Sequence, residues 1–281
     1  MLELARGSLE KMQTQLADPI EYQLVLGEQR IQLSPYLGKH LKLEYLSSIL
    51  CCHCGHKTKT SFGQGYCWNC FQTLAQCDSC MMAPERCHYE QGTCREPSWA
   101  EQFCMSDHIV YLANSSALKV GITRATQIPT RWIDQGATQG LPIFRVATRQ
   151  QSGLIEDALR EHVSDRTNWR AMLKNDAKQL DMAAQRDQLL SRCEASIYQL
   201  QQRFGLQAIQ PFEQRESLFL QYPVLEYPVK ISSFNLDKNP IVEGILLGIK
   251  GQYLIFDTGV INIRKYTAYQ MVLSVNDTTL F

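Results

Sequence analysis

Apolar and polar positions change rhythm several times along the chain, and each change predicts a different element. Near the start, Tyr22-Gln23-Leu24-Val25-Leu26 alternates loosely, Gly27-Glu28 supplies a turn, and Ile31-Gln32-Leu33 resumes. Leu41-Lys42-Leu43-Glu44-Tyr45-Leu46 alternates more cleanly, the pattern of a half-buried strand. The rhythm then vanishes from Cys51 to about residue 107. Three short apolar strands follow: Ile109-Val110-Tyr111-Leu112, Leu118-Lys119-Val120-Gly121-Ile122 and Ile143-Phe144-Arg145-Val146-Ala147. A helical pattern begins near Gly153, with Leu154, Ile155, Ala158, Leu159 and Val163 on one face. A longer helix is predicted from the stripe Leu189, Leu190, Cys193, Ile197, Leu200 and Phe204, stopping at Gly205. From Gly244 to Phe256 the chain reads as a hairpin broken by glycines, and Asp257-Thr258-Gly259 turns into Val260-Ile261-Asn262-Ile263.

Composition narrows this picture. The 281 residues are enough for about two domains, and the 44% apolar fraction can fill their cores. Lys and Arg number 28, as do Asp and Glu, so a basic footprint for nucleic acid must be local. No run of 18 apolar residues offers a membrane span. Met1-Leu2-Glu3-Leu4-Ala5-Arg6 lacks the basic-then-apolar layout of a signal peptide, which predicts a cytoplasmic protein with no membrane partner. Disulfides are rare in that compartment. Ten of the eleven cysteines lie between Cys51 and Cys104, with only Cys193 outside, so the cluster argues for metal.

The first cluster is Cys51-x2-Cys54, twelve residues, then Cys67-x2-Cys70. Each CxxC forms a tight turn with two thiolates on one side, and two such turns make a tetrahedral four-sulfur cage. This is a zinc-ribbon signature, with residues 57–60 and 63–66 expected to form the intervening hairpin. Cys52 and His53 are surplus, and His56 is a substitute ligand. The second cluster begins with Cys77 and Cys80. Its remaining ligands are drawn from Cys87, His88, Cys94, Cys104 and His108, with Cys87 and Cys94 preferred and Cys104 and His108 next. Four thiolates also suit an iron–sulfur cluster, but the spacing matches none of the common ferredoxin runs. About two structural zinc ions are therefore expected, and a segment poor in aliphatic side chains needs their folding free energy.

The region after His108 carries a resemblance. Tyr111 in the first strand, Gly121 in the second, then Arg131, then Glu156 on a helix resembles the GIY-YIG nuclease superfamily. The likeness covers about residues 109–163. It implies two antiparallel motif strands, an arginine on the next helix that supports phosphate, and a glutamate on a later helix that holds a divalent cation such as Mg²⁺. It also implies that Tyr111 orients or activates the attacking water. The second-motif tyrosine falls on Lys119, within Lys119-Val120-Gly121, as in branches with a KIG-type motif. A lysine there adds a phosphate contact but no phenol for proton transfer. Most of the chain also resembles a cysteine-rich bacterial and archaeal family of unknown function. That likeness rests on Gln64-Gly65-Tyr66-Cys67, Asn114-Ser115-Ser116, Lys119-Val120-Gly121-Ile122-Thr123-Arg124, the run from Pro129 to Ala137, and Thr167-Asn168-Trp169-Arg170.

Together these observations predict an α+β multidomain protein. Its stretches are an N-terminal β segment (1–50), a zinc-binding module (51–107), a GIY-YIG-like α/β domain with following helices (108–205), and a small β-barrel (206–281) completed by the N-terminal strands. Function is expected to be nucleic-acid binding on DNA or RNA, with Tyr111, Lys119, Arg131 and Glu156 as the site of a metal-dependent endonuclease. Lys57 and Lys59, beside Phe62 and Tyr66, would contact nucleic acid, as would Arg124 and Arg149. The alternatives are an inactive nucleic-acid or protein-binding adaptor and an RNA-processing or modification factor. Plainer roles also exist: Tyr111 as a core residue, Glu156 and Arg160 as an exposed helix pair, and Trp132 and Trp169 as packing groups. Neither a dinucleotide-binding fingerprint nor a P-loop is present.

Overall fold

The computed structural model describes residues 1–163 and 168–276. It forms two compact units, Met1–Gln72 with Gln221–Phe281, and Thr73–Leu220. The cysteine-rich stretch is thereby divided: Cys51, Cys54, Cys67 and Cys70 belong to the first unit, and Cys77 through Cys104 to the second. Thr167 of the Thr167-Asn168-Trp169-Arg170 motif lies outside the described residues. No helix among the described residues is long and apolar enough to cross a membrane.

In the first unit the sheet path runs Leu2–Ser8, Tyr269–Val275, His40–Leu50, Ile241–Lys250, Tyr253–Phe256, Gly259–Asn262, all antiparallel. Leu41 and Leu43 are buried while Lys42 and Glu44 pair at 2.7 Å, which is the alternation read from the sequence. N- and C-terminal strands share this sheet, but the expected barrel does not close among the described residues. Closure needs the two outer strands to pair with each other. Instead, Gly259–Asn262 is capped by residues 232–234, with Val260 N–H donating to Ser232 O at 2.8 Å and Phe234 N–H to Val260 O at 2.9 Å. The Leu2–Ser8 end runs into the smaller sheet of Gln13–Gln15, Glu21–Leu26 and Gln29–Gln32 through the Leu9–Leu26 bridge. The ribbon hairpin also differs. Lys57–Thr58 pairs with Ile49 and Leu50, and Phe62 bridges Tyr66 in a tight turn.

In the second unit the sheet order is Ile209–Pro211, Gln139–Val146, His108–Asn114, Leu118–Arg124, with Leu218–Phe219 also on Gln139–Val146. Three helices, Arg149–Arg160, Met182–Arg192 and Glu194–Phe204, cover one face. Their core with the sheet includes Val110, Leu112, Val120, Leu141, Ile155, Leu159, Leu189 and Ile197. The first helix starts at Arg149, four residues before the apolar stripe, because Thr148 and Gln151 form a reciprocal capping box. The stripe from Leu189 to Phe204 spans two helices broken at Cys193, whose φ is −104° and ψ 7°. Cys193 remains in the core, and its thiol points at Ala158 O at 3.7 Å, so the apolar period survives the break. Side chains alternate across a strand. Tyr111 and Ala113 therefore lie on the sheet face opposite Val110 and Leu112, beside their register partners Gly121 and Lys119.

Candidate metal centre and charged cluster

Cys51 ends the strand His40–Leu50, and the turn behind it is closed by Gly55 N–H to Cys51 O at 2.9 Å and Cys51 N–H to His56 O at 2.9 Å. Gly55 makes that turn possible with a φ of +71°. Cys67 precedes the helix Trp68–Thr73, whose first turn carries Cys70. The two turns bring Cys51, Cys54, Cys67 and Cys70 together, every sulfur within 4.8 Å of the others. Cys54 and Cys67 sulfurs are 3.8 Å apart. With Zn–S bonds of about 2.3 Å, a tetrahedron has edges of about 3.8 Å. Burial raises the Cys51 thiol, but backbone N–H groups of Cys54, Cys67 and His53 aimed at its sulfur outweigh this and lower it to about 6. Cys70 moves the opposite way, raised by burial and by the sulfurs of Cys67, Cys54 and Cys51. Four crowded thiols cannot all ionise alone, and a divalent cation removes that conflict. These four cysteines can hold zinc. Cys52, His53 and His56 stay outside the group.

The second cluster departs from the expected ligand set. Cys80, Cys87, Cys94 and Cys104, with Asp78 and His88, line one cavity of about 20 Å³, and Cys77 is not among its lining residues. Asp78, Cys80 and His88 have ligand atoms within 4.8 Å of one another. Asp78 is also bound by Arg95 at 2.9 Å. Burial raises Cys80, as do the charges of Asp78 and the cavity's other cysteines.

His108, the last candidate for that site, starts its strand fully buried and does not line the cavity. Its Nδ1 lies 2.7 Å from Ser106 O, and no hydrogen bond reaches Nε2. Burial lowers it from 6.5 to about 4, helped by Arg149 and Arg124. Between those values the unfolded chain binds the extra proton, so stability falls as pH drops from 6.5. The loss from this group should reach about 2 kcal/mol by pH 5. Urea midpoints at pH 7 and pH 5 should therefore differ more for the wild type than for His108→Gln; equal differences would contradict the assignment.

Tyr111 and Lys119, from the sheet face opposite Val110 and Leu112, come within electrostatic reach of Arg131 and Glu156. Tyr111 is fully buried, and its hydroxyl donates to Gln135 Oε1 at 3.0 Å while accepting from Arg131. Burial raises Tyr111, against the lowering influence of Arg131. Gly121 faces the ring so closely that a Cβ there would sit 2.7 Å from the Tyr111 hydroxyl, so only glycine leaves room. Lys119 is 5% exposed. Burial lowers it to about 8, Arg131 adds to the shift and Glu156 opposes it. Glu156 projects from the Arg149–Arg160 helix with 13% of its side chain exposed and pairs with Arg160 at 3.5 Å. Four elements thus bring together a phenol, a lysine, an arginine with its neighbouring amide, and a carboxylate. Gln135 was not selected from the sequence; its position four residues after Arg131 is the signal that could have found it.

The remaining residues are placed less simply. Lys57 and Lys59 are exposed between the two CxxC turns, where Phe62, Trp68 and Phe71 pack ring to ring at 5.0–6.0 Å and Trp68 is 50% exposed. Arg124 lies over the Phe103 ring at 4.8 Å. Arg149 is half-buried, donating from Nη2 to Met81 O at 2.7 Å. Trp132 is buried edge-on to Tyr111 at 5.9 Å, a packing role. Asn114 donates to Gln139 Oε1 at 3.0 Å and Lys178 O at 2.7 Å, tying strand ends to the following segment.

No curated protein and no solved structure matches the chain. A family profile described as "Protein of unknown function (DUF2797)" matches residues 38–271. That span takes in the four-sulfur site, the second cysteine cluster and the charged cluster, and the chain belongs to this family.

Proposed function

We propose that the chain is a zinc-containing nucleic-acid-binding protein whose Tyr111, Lys119, Arg131 and Glu156 cluster hydrolyses a phosphodiester with Mg²⁺. The observation that carries this reading is that Tyr111 and Lys119, from neighbouring strands, both lie within electrostatic reach of Arg131 and Glu156. Arg131 and Lys119 put two cations where a phosphate's developing charge would sit. Glu156 offers one hard oxygen ligand, which suits Mg²⁺ with much of its water shell retained. Binding Mg²⁺ would require Arg160 to release its 3.5 Å pairing with Glu156. The Tyr111 hydroxyl, held by Gln135 and Arg131, orients rather than abstracts a proton. Lys119 is mainly cationic at pH 7, and phosphate binding should weaken as pH rises through about 8 and that charge is lost. Zinc in the ribbon, and a second zinc in the later cysteines, would serve as structure. Lys57 and Lys59 with the exposed Trp68 ring provide a charge-and-stacking surface for single strands.

One observation favours binding without cleavage: Lys119 stands where the resemblance implies a second tyrosine. The test is incubation of the purified protein with single- and double-stranded DNA and RNA, with Mg²⁺ or with EDTA. Magnesium-dependent cutting supports hydrolysis, and retention of a substrate class without cutting supports the binding reading. A protein that neither retains nor cuts any of these substrates overturns the proposal.

A further inference from the structure

We infer that Cys80, Cys87, Cys94 and Cys104, without Cys77, hold a second structural zinc that pins the start of the helix carrying Glu156. This names the ligands of the second zinc and does not depend on phosphodiester chemistry. The four thiols line one small cavity of about 20 Å³, room for a single water-sized occupant. They come from four separate turns of a segment with little regular structure: Cys80 from Ser79–Met81, Cys87 just after Pro84–Arg86, Cys94 from the following loop, and Cys104 at the end of Pro97–Phe103. Such a segment has few apolar groups to hold it, and a shared ion supplies what a core would.

Charge supports a four-thiolate site. Four thiolates around a divalent ion leave two negative charges. Arg149 and Arg124 are the cations acting on Cys104, and Arg149 acts also on Cys80. Asp78 and His88, whose ligand atoms lie within 4.8 Å of each other and of the Cys80 sulfur, are engaged with polar neighbours: Asp78 with Arg95 at 2.9 Å and His88 Nε2 at 3.5 Å, and His88 Nδ1 with the Thr93 hydroxyl at 2.8 Å. In the proposed site they support the thiolates from outside.

The helix is attached through the backbones around these cysteines. Arg149 N–H donates to Cys104 O at 2.8 Å, Arg149 Nη2 to Met81 O at 2.7 Å, and Gln150 Nε2 to Cys87 O at 3.2 Å. Gly153 rests on the same turn, where a Cβ would lie 2.7 Å from Glu85 N and from Pro84 Cβ. An ion that fixes Cys80, Cys87 and Cys104 therefore fixes three acceptors and a contact surface for the first turns of the helix. Glu156 lies one turn beyond Gly153.

The test is zinc per full-length chain by native mass spectrometry. Wild type, Cys77→Ser, His88→Ala and Asp78→Asn should carry two zinc ions, whereas Cys87→Ser and Cys104→Ser should carry one. A wild type with one zinc, or loss of zinc in Cys77→Ser or His88→Ala, overturns the assignment. A wild-type measurement guards against variants that fail to fold. With zinc bound, maleimide should modify Cys77 and leave Cys80, Cys87, Cys94 and Cys104 unmodified; a chelator should open all four together and speed hydrogen exchange at residues 149–153. Ready modification of the four with zinc bound, or unchanged exchange after chelation, counts against the inference. Zinc loss confined to Cys51 and its partners would leave the nucleic-acid reading standing while sinking this one.

Discussion

Cys51→Ser should remove one zinc from the chain and release residues 51–72 from their folded form. Cys51 is the informative choice because it is 2% exposed and its sulfur is the one prepared by three backbone N–H groups. A serine hydroxyl keeps the size but does not ionise, so one corner of the cage loses its charge. Structural zinc contributes about 10–16 kcal/mol in small zinc-binding peptides, which sets a ceiling. The observed cost should be smaller, several kcal/mol, because other contacts persist. Leu50 N–H still donates to Ala268 O at 3.0 Å, and the strand His40–Leu50 still pairs with Tyr269–Val275 and Ile241–Lys250. Hydrogen exchange across residues 51–72 should rise toward that of an open chain, and elemental analysis should fall by one zinc. The neighbouring Cys52→Ser should do neither, since Cys52 lies outside the sulfur group. If both variants kept full zinc and protection, the four-sulfur cage would not be holding metal.

The features legible in the sequence were those set by spacing within a few residues. Paired CxxC turns were readable because two thiolates two residues apart must share a side, and the resulting sulfurs do gather. The Leu41 and Leu43 alternation was readable because strand geometry has period two. What failed depended on partners distant in the chain. The barrel was inferred from strand-rich ends, yet closure is decided by what caps each edge, here residues 232–234 and the Leu26 bridge. Cys77 was chosen for its spacing to Cys80, and it does not line the cavity that Cys80 shares with Cys104, 24 residues further on. The helix pair around Cys193 shows why a stripe can mislead: a break confined to one residue leaves the apolar face aligned. Arg124 and Arg149 looked like surface cations because local sequence does not reveal that Phe103 and Met81 O receive them. Tyr111 illustrates both sides. It is a core residue by burial and also a member of the charged cluster, since its hydroxyl alone reaches Gln135 and Arg131.

Glu156→Gln is expected to abolish magnesium-dependent cleavage while leaving nucleic-acid binding equal or tighter. The two effects have opposite signs for one reason. Gln keeps the shape of the side chain but carries no charge, and a divalent cation that prefers hard anionic oxygen loses its protein ligand. Metal stabilisation of a phosphoryl transition state supplies several kcal/mol, so the rate should fall by about 10³-fold or more. The same carboxylate sits near Lys119 and Arg131, where it repels an incoming phosphate, so its neutralisation favours binding without metal. Unfolding cannot mimic this result. The Glu156 pairing with Arg160 at 3.5 Å is a half-buried pair four residues apart on the helix, of a kind that contributes about 0.5 kcal/mol, and the Arg160 contact to Asp157 at 3.4 Å remains. Lys119→Met completes the comparison by weakening binding at pH 7, with a smaller difference from wild type above pH 8, where the wild-type amine has itself lost its charge. Fluorescence anisotropy in EDTA reads binding, and product formation in Mg²⁺ reads cleavage. Cutting by Glu156→Gln at the wild-type rate would show that any hydrolysis resides elsewhere. Weaker binding by that variant would show that its carboxylate faces a cation of the protein, and not the phosphate.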